Sequence, residues 1–253
     1  MRKQLAIAYI ISVHVFLGFV LVKSDFLEQV LNKLELNLTS KHELTEFYHD
    51  MVGYHLRMDG NVPNGSIIFI GDSFIQGLCV SAVAPESVNY GIGGDTTVGV
   101  LQRLTSYSSL NQAGIVVVAI GFNDLKFRDN NGILRNYSAI AEQMPHNIPI
   151  IFSAVLPVNE KKHENLHGRN QRIQAINTEL KAFTMKSKNL FFVNVGPFLI
   201  DVQGNLADEY HDGDGVHLNA RGNNIWIIEL QKTIKKAKQG TKLVMDSAAF
   251  HLR

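Results

Sequence analysis

Residues 66–73 read Ser-Ile-Ile-Phe-Ile-Gly-Asp-Ser, and this stretch decides the fold. Apolar residues that run into glycine and polar residues are typical of a buried strand ending in a turn. Two further motifs also follow apolar runs of strand-like composition: residues 91–96 (Gly-Ile-Gly-Gly-Asp-Thr) and 121–124 (Gly-Phe-Asn-Asp). Residues 214–217 (Asp-Gly-Val-His) form a fourth motif. We expect these loops to meet at one edge of a sheet.

Strand and helix patterns alternate along the rest of the chain. Three of the strands are rich in Ile, Val and Phe, as in parallel sheets with helices on both faces. The pattern predicts an α/β fold with three layers, helix–sheet–helix, around a doubly wound parallel sheet of strand order 2-1-3-4-5. The predicted strands are 66–70, 87–90, 115–120, 148–155 and 190–195, and the predicted helices are 74–80, 97–106, 137–143, 169–186 and 220–238.

Composition narrows the class of protein. The 253 residues are 45% hydrophobic and 19% charged, which suits one globular domain with an appendage. A net charge of +1 offers no basic field for nucleic acid, so no nucleic-acid partner is expected. The single cysteine, Cys79, cannot form an internal disulfide, and its apolar neighbours predict a buried small side chain.

The N-terminus predicts a location. Arg2 and Lys3 precede an apolar run over residues 5–22, which is long enough to cross the hydrocarbon core of a bilayer, about 30 Å thick. We interpret residues 1–24 as an uncleaved signal anchor, with the main domain outside the cytoplasm, in the periplasm if the cell is Gram-negative. A cleaved signal peptide, which would leave a soluble exported protein, and a buried soluble helix are the alternatives.

The remaining boundaries divide the chain further. We expect residues 25–64 to form an amphipathic helical linker, residues 65–238 to form the main domain and residues 239–253 to form a peripheral tail. The linker has one helical pattern over 26–34 and a second that opens at a capping box over 40–43. A dimerising stalk is the alternative for this linker. The second helix is expected to bury Leu44, Phe47, Tyr48, Met51 and Tyr54 on one face.

Ser73 is the candidate nucleophile. It follows a strand and starts a helix, where the free N–H groups favour negative charge. His217 is the candidate base, and Asp214, three residues earlier, can hold the histidine tautomer and stabilise the imidazolium. A helix cap at Ser73 is the plain alternative. His211 and Asp212, together with Asp214 and His217, could instead suggest a metal site.

Acyl transfer also needs donors for the developing oxyanion. The backbone N–H groups of Ser73 and Gly94 and the side-chain amide of Asn123 supply three candidates. A phosphate-binding loop over residues 91–94 is the alternative. It is disfavoured because no carboxylate lies between Asp95 and Asp124, where a ribose-binding acid would be expected.

Residues 66–238 resemble the SGNH (GDSL) hydrolase superfamily in all four motifs. The resemblance implies a flavodoxin-like sheet, a serine hydrolase that uses Ser73, His217 and Asp214, and no metal or cofactor. It also implies an oxyanion hole made by Ser73, Gly94 and Asn123. Phe74 and Ile75 depart from the common family pattern and could alter the floor of the acyl pocket, and Phe122 stands where a small or polar residue is usual.

The motifs predict the substrate less directly than they predict the reaction. The family covers carbohydrate O-acetyl esters, simple carboxylic esters, thioesters and lysophospholipids. No apolar lid is visible, which favours short acyl groups or a carbohydrate O-acetyl ester over a lysophospholipase or thioesterase activity.

The stretch 126–135 is the expected cleft wall, where Lys126, Arg128 and Arg135 could meet an anion; the plain alternative is a solvated loop. An inactive membrane-tethered binding protein and a flavin- or nucleotide-binding module are the alternatives of other classes. The oligomeric state is left open.

Overall fold

The computed structural model describes residues 2–23 and 43–250, and its larger unit contains a five-stranded parallel sheet. The chain divides into two compact units, Met1–His42 and Glu43–Arg253. The strand order is β2-β1-β3-β4-β5, which confirms the predicted α/β sheet and its order. The strands are β1 (Ile67–Gly71), β2 (Ser87–Gly91), β3 (Ile115–Ala119), β4 (Ile150–Ser153) and β5 (Leu190–Val193).

Helices separate the strands along the chain. Those of the described residues are α1 (Arg2–Lys23), α2 (Glu46–Asp59), α3 (Ser73–Gln76), α4 (Val80–Val83), α5 (Thr97–Leu104), α6 (Asn130–Gln143), α7 (Arg169–Thr184) and α8 (Ala220–Phe250). Short 3₁₀ turns occupy Ser108–Gln112, Asn123–Lys126, Glu164–Leu166 and Gly196–Phe198. Helices α5, α6 and α7 pack side by side, whereas α8 packs on β4, β5 and α4.

The adjacent strands β1 and β3 are buried along their whole length, as their uninterrupted apolar sequence predicts. At the end of β1, a Cβ on Gly71 would lie 2.0 Å from the carbonyl oxygen of Ala119, at the end of β3. Only glycine permits this approach. The chain therefore turns off β1 directly beside β3, and the next residues stand at the carboxyl edge of the sheet.

The predicted anchor region contains helix α1. In the described ranges, no helix is both long and apolar enough to cross a membrane. The anchor over residues 1–24 therefore stays a prediction. The linker helix over 26–34 and the start of the capping box, Ser40 to His42, lie outside the described residues.

Helix α2 corrects the predicted linker face. It begins at Glu46, with Thr45 as its N-cap, rather than at a cap at residue 40. Tyr48 is buried, but Phe47 and Tyr54 are exposed. The buried face of α2 is the one that carries Asp59, because the carboxylate of Asp59 accepts hydrogen bonds from the backbone and hydroxyl groups of Ser108 and Ser109. A polar contact from a distant turn thus sets the orientation that apolar spacing mispredicted.

Three other differences concern helix ends. The predicted helix 74–80 is broken into α3 and α4, and Cys79, between them, is exposed rather than buried. Helix α6 begins at Asn130, earlier than residue 137, because the Asp129 side chain caps it by accepting from Gly132 N. Helix α8 runs through residues 239–250 of the predicted tail.

Candidate active site

Ser73 stands at the junction of β1 and α3, half-buried at the carboxyl edge of the sheet. The preceding residue, Asp72, is the N-cap of α3, and its Oδ1 accepts from the Phe74 N–H at 3.0 Å. That cap leaves the Ser73 N–H without a hydrogen-bond partner among the described residues. Both the hydroxyl and the amide of Ser73 are thus available to a substrate.

His217 connects Ser73 to Asp214. Its Nε2 lies 2.9 Å from Ser73 Oγ, and its Nδ1 lies 2.5 Å from Asp214 Oδ2. A carboxylate at this distance requires Nδ1 to be the protonated nitrogen, so Nε2 can accept the serine proton. The structure brings together all three residues predicted for the triad, although 144 positions separate Ser73 from His217.

The Asp214 carboxylate stays ionised because several donors surround it. Partial burial acts to raise its pKa, but Val216 N and His217 N donate to Oδ1 at 2.7 and 2.9 Å, and the His217 ring donates to Oδ2. These hydrogen bonds outweigh burial and lower the pKa of Asp214 to about 2. A permanent negative charge therefore faces the ring that must become an imidazolium.

The His211 ring holds the loop that carries Asp214. Its Nδ1 accepts from the backbone N–H groups of Gly213 at 2.9 Å and Gly215 at 3.2 Å, which flank Asp214. Its Nε2 lies 3.1 Å from Asp208 Oδ1. An Nδ1 that accepts two N–H groups is unprotonated, so the buried His211 ring holds the loop as a neutral tautomer.

His211 was predicted only as a possible metal ligand, but its ring serves the loop instead. No group of three metal-binding side chains is found in the part of the chain that the structure describes. Its position four residues before Gly215 is the one sequence feature that could have suggested a role in this loop. That spacing does not determine how the His211 ring is oriented.

Gly94 presents bare backbone at the end of β2. Its φ of +79° is favourable only for glycine, and a Cβ there would meet no atom of the described chain within 4 Å. The other N–H groups of residues 91–96 are bonded within the protein, to Asn89, Gly71, Gln76, Ile92 and Asp95. Within this fully described loop, only the Gly94 N–H lacks an acceptor. That pattern fits a single oxyanion donor and disfavours a phosphate cradle.

Asn123 lies beside this loop. Its Nδ2 donates to the Asp95 carbonyl at 3.0 Å, and the side chain is buried. The amide carries a second hydrogen, which is available to a ligand. The three predicted oxyanion donors therefore come from the ends of β1, β2 and β3, which are adjacent strands of the sheet.

A buried ion pair locks these loops together. Arg103 binds Asp95 through Nε and Nη2 at 3.0 and 2.9 Å, and Nη2 also donates to the Gly71 carbonyl at 3.2 Å. Burial raises the pKa of Asp95 to about 6, although the Arg103 guanidinium opposes the shift. Arg103 was absent from the predicted site, and its position on a helical pattern offered no signal.

Aromatic rings line the serine side of the site. The Phe74 ring lies 5.5 Å from the His217 ring and 5.9 Å from the Phe122 ring, between centroids. A cavity of about 10 Å³ behind Phe74 and Phe122 reaches Trp226 and has room for about one water molecule. Ile75, predicted to influence the acyl pocket, is fully buried against the sheet instead.

The structure differs from the cationic cleft wall that was expected over residues 126–135. The guanidinium of Arg128 binds both Asp124 and Glu43, so its charge is neutralised within the protein. Residues 130–135 of this stretch form the first turns of α6 rather than a loop. Arg135 is exposed on that helix. The two ion pairs of Arg128 disfavour the hypothesis that it meets an anionic substrate.

The sequence model of the GDSL-like lipase/acylhydrolase family matches residues 69–225, from β1 through the start of α8. This range contains every candidate site residue. The chain belongs to the GDSL-like lipase/acylhydrolase family. It is accordingly an ester hydrolase by family, as its motifs predicted.

Solved structures agree with this assignment. A Streptococcus pneumonia protein provisionally named a platelet activating factor is 25% identical, with a TM-score of 0.69, covering 85% of this chain and 99% of that one. A GDSL-like lipase from Bacteroides thetaiotaomicron is 22% identical, with a TM-score of 0.67 and coverage of 76% and 100%. An acetylxylan esterase from Geobacillus stearothermophilus is 18% identical, with a TM-score of 0.54 and coverage of 67% and 94%. A comparison with curated proteins gave no match.

Proposed function

We propose that the protein hydrolyses short-chain carboxylic esters through an acyl-enzyme formed on Ser73. The observation that carries this proposal is the continuous hydrogen-bonded path from Ser73 Oγ through the His217 ring to Asp214. A serine beside a histidine whose other nitrogen faces a carboxylate is arranged for nucleophilic catalysis.

The first half of the reaction forms the acyl-enzyme. Ser73 Oγ attacks the ester carbonyl carbon while its proton passes to His217 Nε2. The carbonyl oxygen becomes an oxyanion, which the N–H groups of Ser73 and Gly94 and the Asn123 amide stabilise. The bond to the alcohol oxygen then breaks, and His217 returns its proton to that oxygen.

The second half releases the acid. Water attacks the acyl carbon and gives a proton to His217, which then protonates Ser73 Oγ as the acyl–serine bond breaks. Asp214 keeps its charge throughout, because the backbone N–H groups that lower its pKa remain bonded to it. No redox partner or cofactor enters this cycle.

The acyl group is proposed to be short, with a carbohydrate O-acetyl ester as the natural kind. A long acyl chain gains about 0.8 kcal/mol per buried methylene, but only in an apolar groove. The cavity behind Phe74 and Phe122 has a volume of about 10 Å³, so it does not supply such a groove. The acetylxylan esterase of similar fold acts, by its name, on acetylated glycan.

Two assays test this proposal. A fluorophosphonate probe should label the wild type and Ser81→Ala, whose exposed serine is a matched control, but not Ser73→Ala. A series of p-nitrophenyl esters from acetyl to palmitoyl should then give kcat/KM values that fall with acyl length. Preference for octanoyl or palmitoyl esters, or for lysophospholipids, would replace the short-acyl proposal with a lysophospholipase.

The location remains a proposal that rests on the sequence. Residues 1–24 are proposed to hold the catalytic domain outside the cytoplasm as an uncleaved anchor. Membrane fractions should contain the protein with its N-terminus intact by mass spectrometry. A mature N-terminus near Asp25 would replace the anchor with a cleaved signal peptide, and an intact protein in the cytosolic fraction would remove export altogether.

A further inference from the structure

One carboxylate from a distant part of the chain joins the loops that follow β2 and β3. Glu43 Oε1 accepts from the Thr96 hydroxyl at 2.6 Å and also from the Arg128 guanidinium. Thr96 lies two residues after Gly94, and Arg128 lies five residues after Asn123. A single oxygen atom therefore bridges the two loops that carry these candidate oxyanion donors.

Asp124 joins the same two loops locally. Its Oδ2 accepts from the Thr97 N–H at 2.9 Å, and its Oδ1 accepts from the Thr97 hydroxyl and the Arg128 guanidinium. The Asp124 side chain is fully buried, whereas those of Glu43 and Arg128 are 24% and 15% exposed. Arg128 thus lies between an acid of the 3₁₀ turn and an acid from the segment before α2.

These contacts lie directly beside the donors. Asn123 Nδ2 donates to the Asp95 carbonyl at 3.0 Å, and Asp95 stands between Gly94 and Thr96 in the chain. Displacement of Thr96 would therefore move the carbonyl that orients the Asn123 amide. Displacement of the 3₁₀ turn, which begins at Asn123, would move the same amide from the other side.

Glu43 comes from outside the family range, which begins at residue 69. The sequence pattern placed it in a capping box over residues 40–43, but its carboxylate binds Thr96 and Arg128 instead. Helix α2, which begins three residues later, packs on the same region, because the Tyr48 hydroxyl donates to the Gly99 carbonyl at 2.7 Å. The segment before the family range is therefore part of the structure around the candidate site.

We propose that Glu43 is a positioning residue for the oxyanion hole, which fixes the spacing between Gly94 and Asn123. A carboxylate in this region adds negative charge, which by itself would oppose a developing oxyanion. The contribution of Glu43 is therefore to geometry, and the Arg128 guanidinium offsets its charge. This inference rests on the proposed esterase function.

Two substitutions at Glu43 separate geometry from charge in the hydrolysis of p-nitrophenyl acetate. Glu43→Ala removes the acceptor and should lower kcat about tenfold with KM within twofold, because the oxyanion forms only in the transition state. This loss is smaller than the roughly 10²-fold or more expected when a donor itself is removed. Glu43→Gln keeps a carbonyl oxygen for Thr96 and Arg128, so it should retain most of the wild-type kcat.

Two controls on α2 separate positioning from stability. Glu46→Ala removes an exposed carboxylate from the first turn and should leave both kcat and Tm nearly unchanged. Tyr48→Phe removes the buried hydroxyl that donates to Gly99. It should lower Tm but leave kcat within twofold, because this hydrogen bond involves neither donor loop.

A double variant tests whether Glu43 acts through the donors. Glu43→Ala combined with Asn123→Ala should be less than threefold slower than Asn123→Ala alone, because the amide to be positioned is already absent. If Glu43→Ala does not fold, Glu43→Asp takes its place, since it keeps the charge but withdraws the carboxylate by one methylene.

Four results would overturn this inference. They are a further tenfold loss in the double variant, an effect of Glu43→Ala on KM alone, a Glu43→Gln variant as slow as Glu43→Ala, and an equal loss of kcat in Tyr48→Phe. Hydrolysis that depends on Ser73 but not on Glu43 would leave the proposed function intact. Failure of the wild type to hydrolyse any ester would refute that function as well.

Discussion

The two sides of the candidate site use aspartate in opposite ways. Asp72, on the serine side, is buried, and its side chain accepts one backbone N–H, from Phe74. The side chain of Asp214, on the histidine side, is 39% exposed and accepts hydrogen bonds from two backbone N–H groups and from the His217 ring N–H. Burial raises the pKa of Asp72 to about 8, whereas hydrogen bonds lower that of Asp214 to about 2. The same residue type therefore has its pKa shifted upward on one side and downward on the other.

The difference reflects how each side is held. The serine side consists of strand ends joined by the buried Arg103–Asp95 pair. The histidine side is a partly exposed loop held by short-range hydrogen bonds and by His211. Buried ion pairs give the first side rigidity, while the second keeps the ionised carboxylate that a proton-accepting histidine needs.

The largest effect should come from breaking the contact that joins the two sides. Ser73→Ala and His217→Ala should each lower kcat by about 10⁴-fold or more, and nearly equally, because the two residues act as a unit. Turnover of p-nitrophenyl acetate measures both, with Ser81→Ala as control. Wild-type turnover in Ser73→Ala would end the assignment of the nucleophile.

A smaller loss should follow from the serine side alone. Asn123→Ala should lower kcat by roughly 10²–10³-fold with little change in KM, because its amide binds mainly the charged oxyanion. Steady-state kinetics and a melting curve together test this, with the exposed Asn165→Ala as control. A pure KM effect would reassign Asn123 to substrate binding.

On the histidine side, the loop support should matter less. His211→Phe keeps the volume of the ring but removes both acceptor and donor, so kcat should fall about tenfold, as lost hydrogen bonds of 1–3 kcal/mol suggest. His163→Phe, at an exposed position, is the control. Unchanged kcat with a lower Tm would make His211 a purely structural residue.

The last prediction concerns the pH dependence of stability, which the raised pKa of Asp72 should set. Because the pKa of Asp72 is raised on folding, the native state binds the extra proton, and stability should fall as pH rises from about 4 to about 8. One group contributes at most about 1.4 kcal/mol per pH unit. Asp72→Asn keeps the cap acceptor and should flatten this decline in urea unfolding between pH 5 and 8.5. An unchanged pH dependence would show that Asp72 is ionised in the folded protein.

Prediction from sequence worked where local chemistry decides structure. Apolar runs and glycines placed β1 to β5 within a few residues and in the observed order, because buried parallel strands need uninterrupted apolar segments. Ser73, Gly94 and Asn123 follow the ends of β1, β2 and β3, which share an edge of the sheet, whereas Asp214 and His217 belong to a short motif in the loop before α8. Their catalytic roles stay predictions until the variants are measured.

Short patterns and spacing were enough to predict the sheet, the family and the residues at the carboxyl edge of the sheet. Which charged side chains are paired became clear only from the folded structure. Arg128 is neutralised by Glu43, 85 positions away, whereas Arg169 stacks on Phe122 with a donor unpaired. The orientation of the His211 ring and the exposure of Cys79 are two further features that the sequence did not predict. The physical reason is that hydrogen bonding and desolvation depend on neighbours brought together by folding, and one-dimensional spacing does not contain them.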